Sequence, residues 1–282
     1  MLPQSPWIWA LLAVGVALSG WALVSSTSVF QSEPVKESPH GVEVMTNTEA
    51  FRPLGDHEVR TENVNYFQDT SGYLARPADE GSYPGVVMIH EWWGLNDNIR
   101  RMAEILATHG YSVLAVDLYN GEVATEPGRA QELSSNLDQQ QAIANMQAAV
   151  DYLRNQENAD RVASLGWCFG GGQSLQLALS DVSLASTVIY YGNLVTDKSR
   201  LATIDWPVLG IFGAEDQVVS VETVETFKAT LNSLNVPNEF RVYPGAGHAF
   251  ANPSGDSFAP QAAADAWKVT LNFLDEHLKS DS

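Results

Sequence analysis

The chain has 282 residues, with 34 acidic against 15 basic and a formal charge of −19. A surface this negative should repel nucleic acid and anionic membrane. A single cysteine, Cys168, excludes an internal disulfide, and six scattered histidines without cysteine partners argue against a zinc site.

Met1 to Pro6 carries no lysine or arginine and precedes an apolar run from Trp7 to Val24. That length falls between a signal-peptide core and a minimal membrane span. Residues 1–28 are therefore expected to be an export signal or a membrane anchor, placing the protein in the periplasm or on the extracytoplasmic side of a membrane. Residues 29–56, rich in Ser, Pro, Glu and Thr without apolar periodicity, read as a linker. Residues 57–280 are long enough for one domain with a large core.

Within that domain Glu58 to Phe67 and Ser71 to Pro77 predict two strands joined by a turn. After Pro84-Gly85, the run Val86 to His90 is apolar enough for a strand buried on both faces. Asn96 is placed to cap a helix whose Ile99, Met102, Ala103 and Leu106 share one stripe before Gly110 ends it. A strand over Tyr111 to Leu118, a loop with Gly121, Pro127 and Gly128, and a helix through Ala142, Met146, Ala149, Val150 and Leu153 follow. Arg161 to Leu165 predicts a strand that runs into Gly166-Trp167-Cys168-Phe169-Gly170 and then a helix. Strands at Ala185 to Tyr191, Pro207 to Phe212 and Glu239 to Tyr243, with helices at Val221 to Leu234 and Ala262 to Leu278, complete an α/β pattern. Such alternation argues for a mostly parallel sheet with helices on both faces, and a site at the carboxyl ends of its strands.

A strand that turns sharply through Gly-x-Cys-x-Gly into a helix forces its central residue into a strained backbone and projects the side chain above the sheet. Cys168 therefore stands where a nucleophile belongs, and the helix N-terminus is expected to favour its thiolate. Later loops supply partners in the chain order acid, then histidine. Asp216, with Glu215 as rival, follows the strand ending at Phe212, and His248 follows the strand ending at Tyr243. The loop His90-Glu91-Trp92-Trp93-Gly94 should approach the cysteine from the side, so that backbone N–H groups of Trp92 and Phe169 form an oxyanion hole. Glu91, followed by two tryptophans, is expected to be poorly solvated, with a raised pKa. His90 reads equally as packing or as support for the site.

Together His90-Glu91-x-x-Gly94, Gly166-Trp167-Cys168-Phe169-Gly170-Gly171, Gly213-x-x-Asp216 and Gly247-His248-x-Phe250 resemble the dienelactone hydrolase family of α/β-hydrolases, over about Glu58 to Leu278. The resemblance implies hydrolysis of small esters or lactones by a Cys168, His248 and Asp216 triad through an acyl-cysteine, with no cofactor, and with Glu91 controlling the thiol's protonation. It supports Trp92 and Phe169 as oxyanion donors, and Tyr191-Gly192 matches a family Tyr-Gly. Tyr191 and Trp93 are expected to line a small, partly aromatic substrate pocket. Family members acting on dienelactone grip its carboxylate with arginines. Arg129 lies roughly where one is expected, but the other position, four residues after His248, is Asn252. A non-catalytic binding module on the same fold and an acyltransferase are the alternative readings. The expected partner is a small-molecule ester or lactone, and the expected oligomeric state is a monomer.

Overall fold

The computed structural model describes residues 49–52 and 54–279. The expected leader, and the linker up to residue 48, lie outside the described residues. β1 (Val59–Phe67) and β2 (Thr70–Pro77) form an antiparallel hairpin, its turn holding Gln68 at φ 47°. β3 (Gly85–Ile89), β4 (Ser112–Val116), β5 (Val162–Trp167), β6 (Ser186–Tyr190), β7 (Val208–Gly213) and β8 (Asn238–Tyr243) follow. The sheet runs β1-β2-β4-β3-β5-β6-β7-β8, antiparallel as far as β4 and parallel beyond it. Every residue of β3 to β7 is buried, as a sheet covered on both faces requires.

The covering elements are α1 (Asp97–Thr108), α2 (Pro127–Ser135), α3 (Gln139–Asn155), α4 (Phe169–Ala178), α5 (Lys198–Leu201), α6 (Val221–Ser233) and α7 (Pro260–Leu278). As the sequence suggested, Asn96 caps α1 by accepting a hydrogen bond from the Ile99 N–H at 3.2 Å, and Ile99, Met102, Ala103 and Leu106 are buried. This is the α/β-hydrolase fold: β5 turns abruptly into α4 near the sheet's centre, and later parallel strands end on the same side.

Three elements are additions to the sequence reading, the four-residue α5 being one of them. The loop read after β4 contains α2, in which only Ala130 is buried; without an apolar stripe it carries no periodic signal, and Pro127 at its start is the one local cue. The stretch read as linker also contributes Ala50 and Phe51, both buried, with Phe51 meeting Trp267 of α7 edge-on at 5.8 Å. A single helical turn is too short to show a period.

The carboxyl end of β4 is fixed by a buried polar network. The Tyr66 hydroxyl donates to Asn145 Oδ1 at 2.6 Å and accepts from the Asp117 N–H at 3.1 Å, while the Asn145 amide donates to the Asp117 carbonyl at 3.0 Å. Each buried group thereby has a partner, which keeps the network from destabilising the core.

Candidate active site

Cys168 sits between β5 and α4 with φ 53° and ψ −118°, a conformation rare for a residue with a side chain. Its neighbours make that backbone possible. A Cβ on Gly170 would stand 2.3 Å from the Ile89 carbonyl oxygen of β3, and one on Gly192 would stand 2.2 Å from the Gly172 nitrogen of α4. Only glycine allows these backbones to approach so closely.

Three loops at the carboxyl ends of β5, β7 and β8 converge. His248 Nε2 lies 3.1 Å from Cys168 Sγ, and His248 Nδ1 lies 2.9 Å from Asp216 Oδ2. The other oxygen of Asp216 accepts the Val218 and Val219 N–H groups at 2.7 and 3.0 Å, locking the carboxylate's orientation. Asp216 is buried whereas Glu215 is exposed, so the structure brings Asp216, and not its rival, to the histidine. With Asp216 accepting the Nδ1 proton, Nε2 is left as the acceptor facing the thiol.

The surroundings of the sulfur favour the thiol, against the pull of the helix N-terminus toward the thiolate. Burial pushes the Cys168 pKa up to about 12, the negative charge of Glu91 pushes in the same direction, and the Phe169 backbone N–H facing the sulfur only partly opposes them. Desolvation of a charged sulfur outweighs the helix dipole here.

Glu91 is 4% exposed. The Asn252 amide donates to its Oε2, so the position four residues after His248 still reaches this carboxylate, with an uncharged group. Burial pushes the Glu91 pKa up to about 7, and the Asn252 hydrogen bond only partly offsets it. Poor solvation and a raised pKa are what the sequence led one to expect of Glu91. Glu91 borders a small hollow of about 10 Å³ with Ile99, Met102, Trp167 and Tyr191, while Trp92 and Trp93 are half-buried and pack edge-on against each other at 5.1 Å.

A stability prediction follows from Glu91. An unfolded glutamate ionises near 4.5, so between about pH 4.5 and 7 the folded protein holds a proton that the unfolded chain has released. The contribution is full below that window and is lost as pH rises through 7, by up to about 3 kcal/mol. His90, buried with its pKa lowered by desolvation, has the opposite trend at low pH, so the parent-minus-variant difference isolates the glutamate. Urea unfolding should find Glu91→Gln gaining on the parent from pH 5 to pH 8.5. A constant difference across that range would contradict the assignment.

His90 links two loops. The Leu118 N–H donates to its Nε2 at 3.1 Å, which leaves the Nδ1 proton to bond the Glu91 carbonyl at 2.6 Å. That carbonyl also accepts the Gly94 N–H at 3.2 Å, closing a tight turn with Gly94 at φ 94°. Trp92, expected as an oxyanion donor, lies in this turn beside β3, the neighbour of β5; Phe169 is the first residue of α4.

Tyr191 is wholly buried at φ 35°, its ring 5.3 Å from that of His248 and 5.5 Å from that of Phe250. Arg129 lies apart, in α2, exposed and ion-paired with Glu122 and Glu132 at 2.5 and 2.6 Å. It borders a cleft of about 500 Å³ whose lining also includes Tyr119, Asp117 and Asn145. Tyr119, which the sequence reading passed over, packs its ring 5.7 Å from that of Phe169. Its only sequence signal is its place in the loop after a central strand.

The sequence model of the dienelactone hydrolase family matches residues 70–278. The chain belongs to the dienelactone hydrolase family. It is 31% identical over 252 residues to the "Putative carboxymethylenebutenolidase" of Saccharolobus solfataricus, an alignment covering 74% of this chain and 96% of that protein. Among solved structures, the "Putative Dienelactone Hydrolase" of Klebsiella pneumoniae superposes with a TM-score of 0.72 at 27% identity, covering 78% of this chain and 99% of that one. A dienelactone hydrolase-like promiscuous phosphotriesterase from metagenomic libraries gives 0.68 at 28% identity, over 79% and 99% of the two chains. A hydrolase of the dienelactone hydrolase type is therefore established at that level. Among the described residues no group of three or more His, Cys, Asp or Glu side chains could hold a metal ion.

Proposed function

We propose that this dienelactone hydrolase family member opens small esters or lactones through an acyl-cysteine intermediate on Cys168. The observation that carries the reading is the unbroken line from Asp216 Oδ2 through the His248 ring to Cys168 Sγ, with contacts of 2.9 and 3.1 Å. His248 takes the thiol proton as sulfur attacks the ester carbonyl, and Asp216 holds the tautomer and stabilises the imidazolium. The carbonyl's electron pair moves to its oxygen, which the Trp92 and Phe169 N–H groups receive. Collapse expels the alcohol, which takes the proton from His248. Water, deprotonated by the same histidine, then releases the acid and returns the thiol.

A resting thiol suits this order of events, because a neutral sulfur beside Glu91 survives until the substrate carbonyl arrives. Glu91 holds the sulfur's charge in check by repulsion, and Asn252 orients it. The substrate carries no carboxylate: Asn252 offers an uncharged amide beside Glu91, and Arg129 is already neutralised by two glutamates. Trp93 lines the acyl side, and Tyr191, wholly buried against His248 and Phe250, backs the site. The enzyme acts outside the cytoplasm, residues 1–28 directing or anchoring it there.

The test is capture of the intermediate. Rapid acid quenching during p-nitrophenyl acetate turnover, followed by peptide mass spectrometry, should find one acetyl group on Cys168. Acetylation elsewhere, or steady turnover with no acylated cysteine at any quench time, would remove the proposal. Turnover of neutral esters should also exceed that of a carboxylated dienelactone.

A further inference from the structure

Tyr119 occupies the loop after β4, and several groups fix it there. Asp117 Oδ1 accepts its N–H at 2.8 Å, the other Asp117 oxygen accepts the Gly121 N–H, and His90 accepts the neighbouring Leu118 N–H. Its ring lies 4.8 Å from His90 and 5.7 Å from Phe169, the residue after the nucleophile. A Cβ on Gly94 would touch that ring at 3.3 Å, so the turn carrying Trp92 closes over it. Yet the hydroxyl is buried and has no hydrogen-bond partner, in a residue only 9% exposed. A buried orphan donor at the end of so ordered a chain of contacts is costly.

The location suggests what the donor is for. Burial and the charge that an ionised Cys168 would carry both raise the Tyr119 pKa. The phenol therefore keeps its proton and presents it to negative charge. A neutral thiol is a weak acceptor, whereas a thiolate or a tetrahedral oxyanion is a strong one.

We propose that the Tyr119 hydroxyl is a hydrogen-bond donor of the reaction centre, unpaired while Cys168 is a thiol and engaged by the negative charge that forms there during attack. The proposal rests on Cys168 being the nucleophile. Tyr119 transfers no proton; that proton passes from sulfur to His248 and on to the leaving alcohol. An interaction formed only with the developing charge lowers the barrier and leaves substrate binding alone.

Tyr119→Phe keeps the ring against His90 and Phe169 and removes the donor. We expect kcat for p-nitrophenyl acetate to fall about 10- to 100-fold with KM within about two-fold. Alkylation of Cys168 by iodoacetamide should shift to higher pH in the same variant, a readout that loss of packing would not move in a fixed direction. A trifluoromethyl ketone gives a second measurement on the unaltered protein. Sulfur adds to its carbonyl carbon, the thiol proton moves to His248, and the carbonyl pair becomes an alkoxide. That adduct should show a slowly exchanging, downfield tyrosine hydroxyl proton by NMR that the free protein lacks. The proposal is overturned if the adduct shows no such proton, or if kcat and the alkylation profile of Tyr119→Phe match the parent. Parent-like Tyr119→Phe beside an inactive Cys168→Ala would sink the tyrosine's role alone, whereas an active Cys168→Ala would sink the nucleophile itself.

Discussion

Cys168→Ala should lower the kcat/KM for p-nitrophenyl acetate by about 1,000-fold or more while leaving the fold intact, since removal of a nucleophile leaves only binding and oxyanion stabilisation. The substitution is a clean one. Alanine carries the same Cβ as cysteine, so the strain at φ 53° is unchanged, and only one sulfur atom is removed from a half-buried position at the margin of the core. His248 keeps its bond to Asp216 and can still activate water, which is why a small residual rate is expected. Cys168→Ser should also be slow, because a hydroxyl is harder to deprotonate than a thiol and the site already disfavours charge at this atom. Initial rates and circular dichroism of the three proteins decide the matter. A Cys168→Ala protein turning over at the parent's rate would remove the cysteine as nucleophile, and a parent with no rate above background would bring forward the reading of this chain as a binding module with an idle site.

Gly170→Ala should destabilise the protein by about 2 kcal/mol or more and reduce turnover by about 100-fold. Alanine is the better helix former by about 1 kcal/mol, so propensity alone predicts a gain. The clash wins because the added Cβ would stand 2.3 Å from the Ile89 carbonyl oxygen and 2.5 Å from that of His90, both backbone atoms that no rotamer change can move. α4 must then withdraw from β3, carrying the Phe169 N–H and the sulfur away from the loop that bears Glu91 and Trp92. Gly128 in α2 is the matched control: a Cβ there meets nothing within 4 Å, so Gly128→Ala should be neutral or stabilising by up to about 1 kcal/mol. Chemical denaturation of the pair reads the contrast directly. Equal stabilities for the two variants would show that the elbow is not held by close backbone approach.

Much of this arrangement could be read along the chain, because its signals are local. A continuous apolar run such as Val86 to Ile89 must be hidden on both faces, and a glycine-flanked residue between a strand and a helix must project above the sheet. Asn96 capped its helix as its position suggested. α2 escaped notice because a helix that buries only Ala130 leaves no stripe to detect, and Phe51 because one turn has no period.

Sequence by itself determined the fold class and the chain order of Cys168, Asp216 and His248, for burial pattern, turn chemistry and the alternation of strands with helices are written in neighbouring residues. Only the tertiary structure decided the electrical state of the site. Asn252 meets Glu91 across 161 residues, the choice of Asp216 over Glu215 depends on how one loop turns, and Tyr119 reaches the sulfur's surroundings from a different strand. The thiol's pKa reversed the local expectation for the same reason: the helix dipole is a property of α4 alone, whereas desolvation and the charge of Glu91 belong to everything that packs around it.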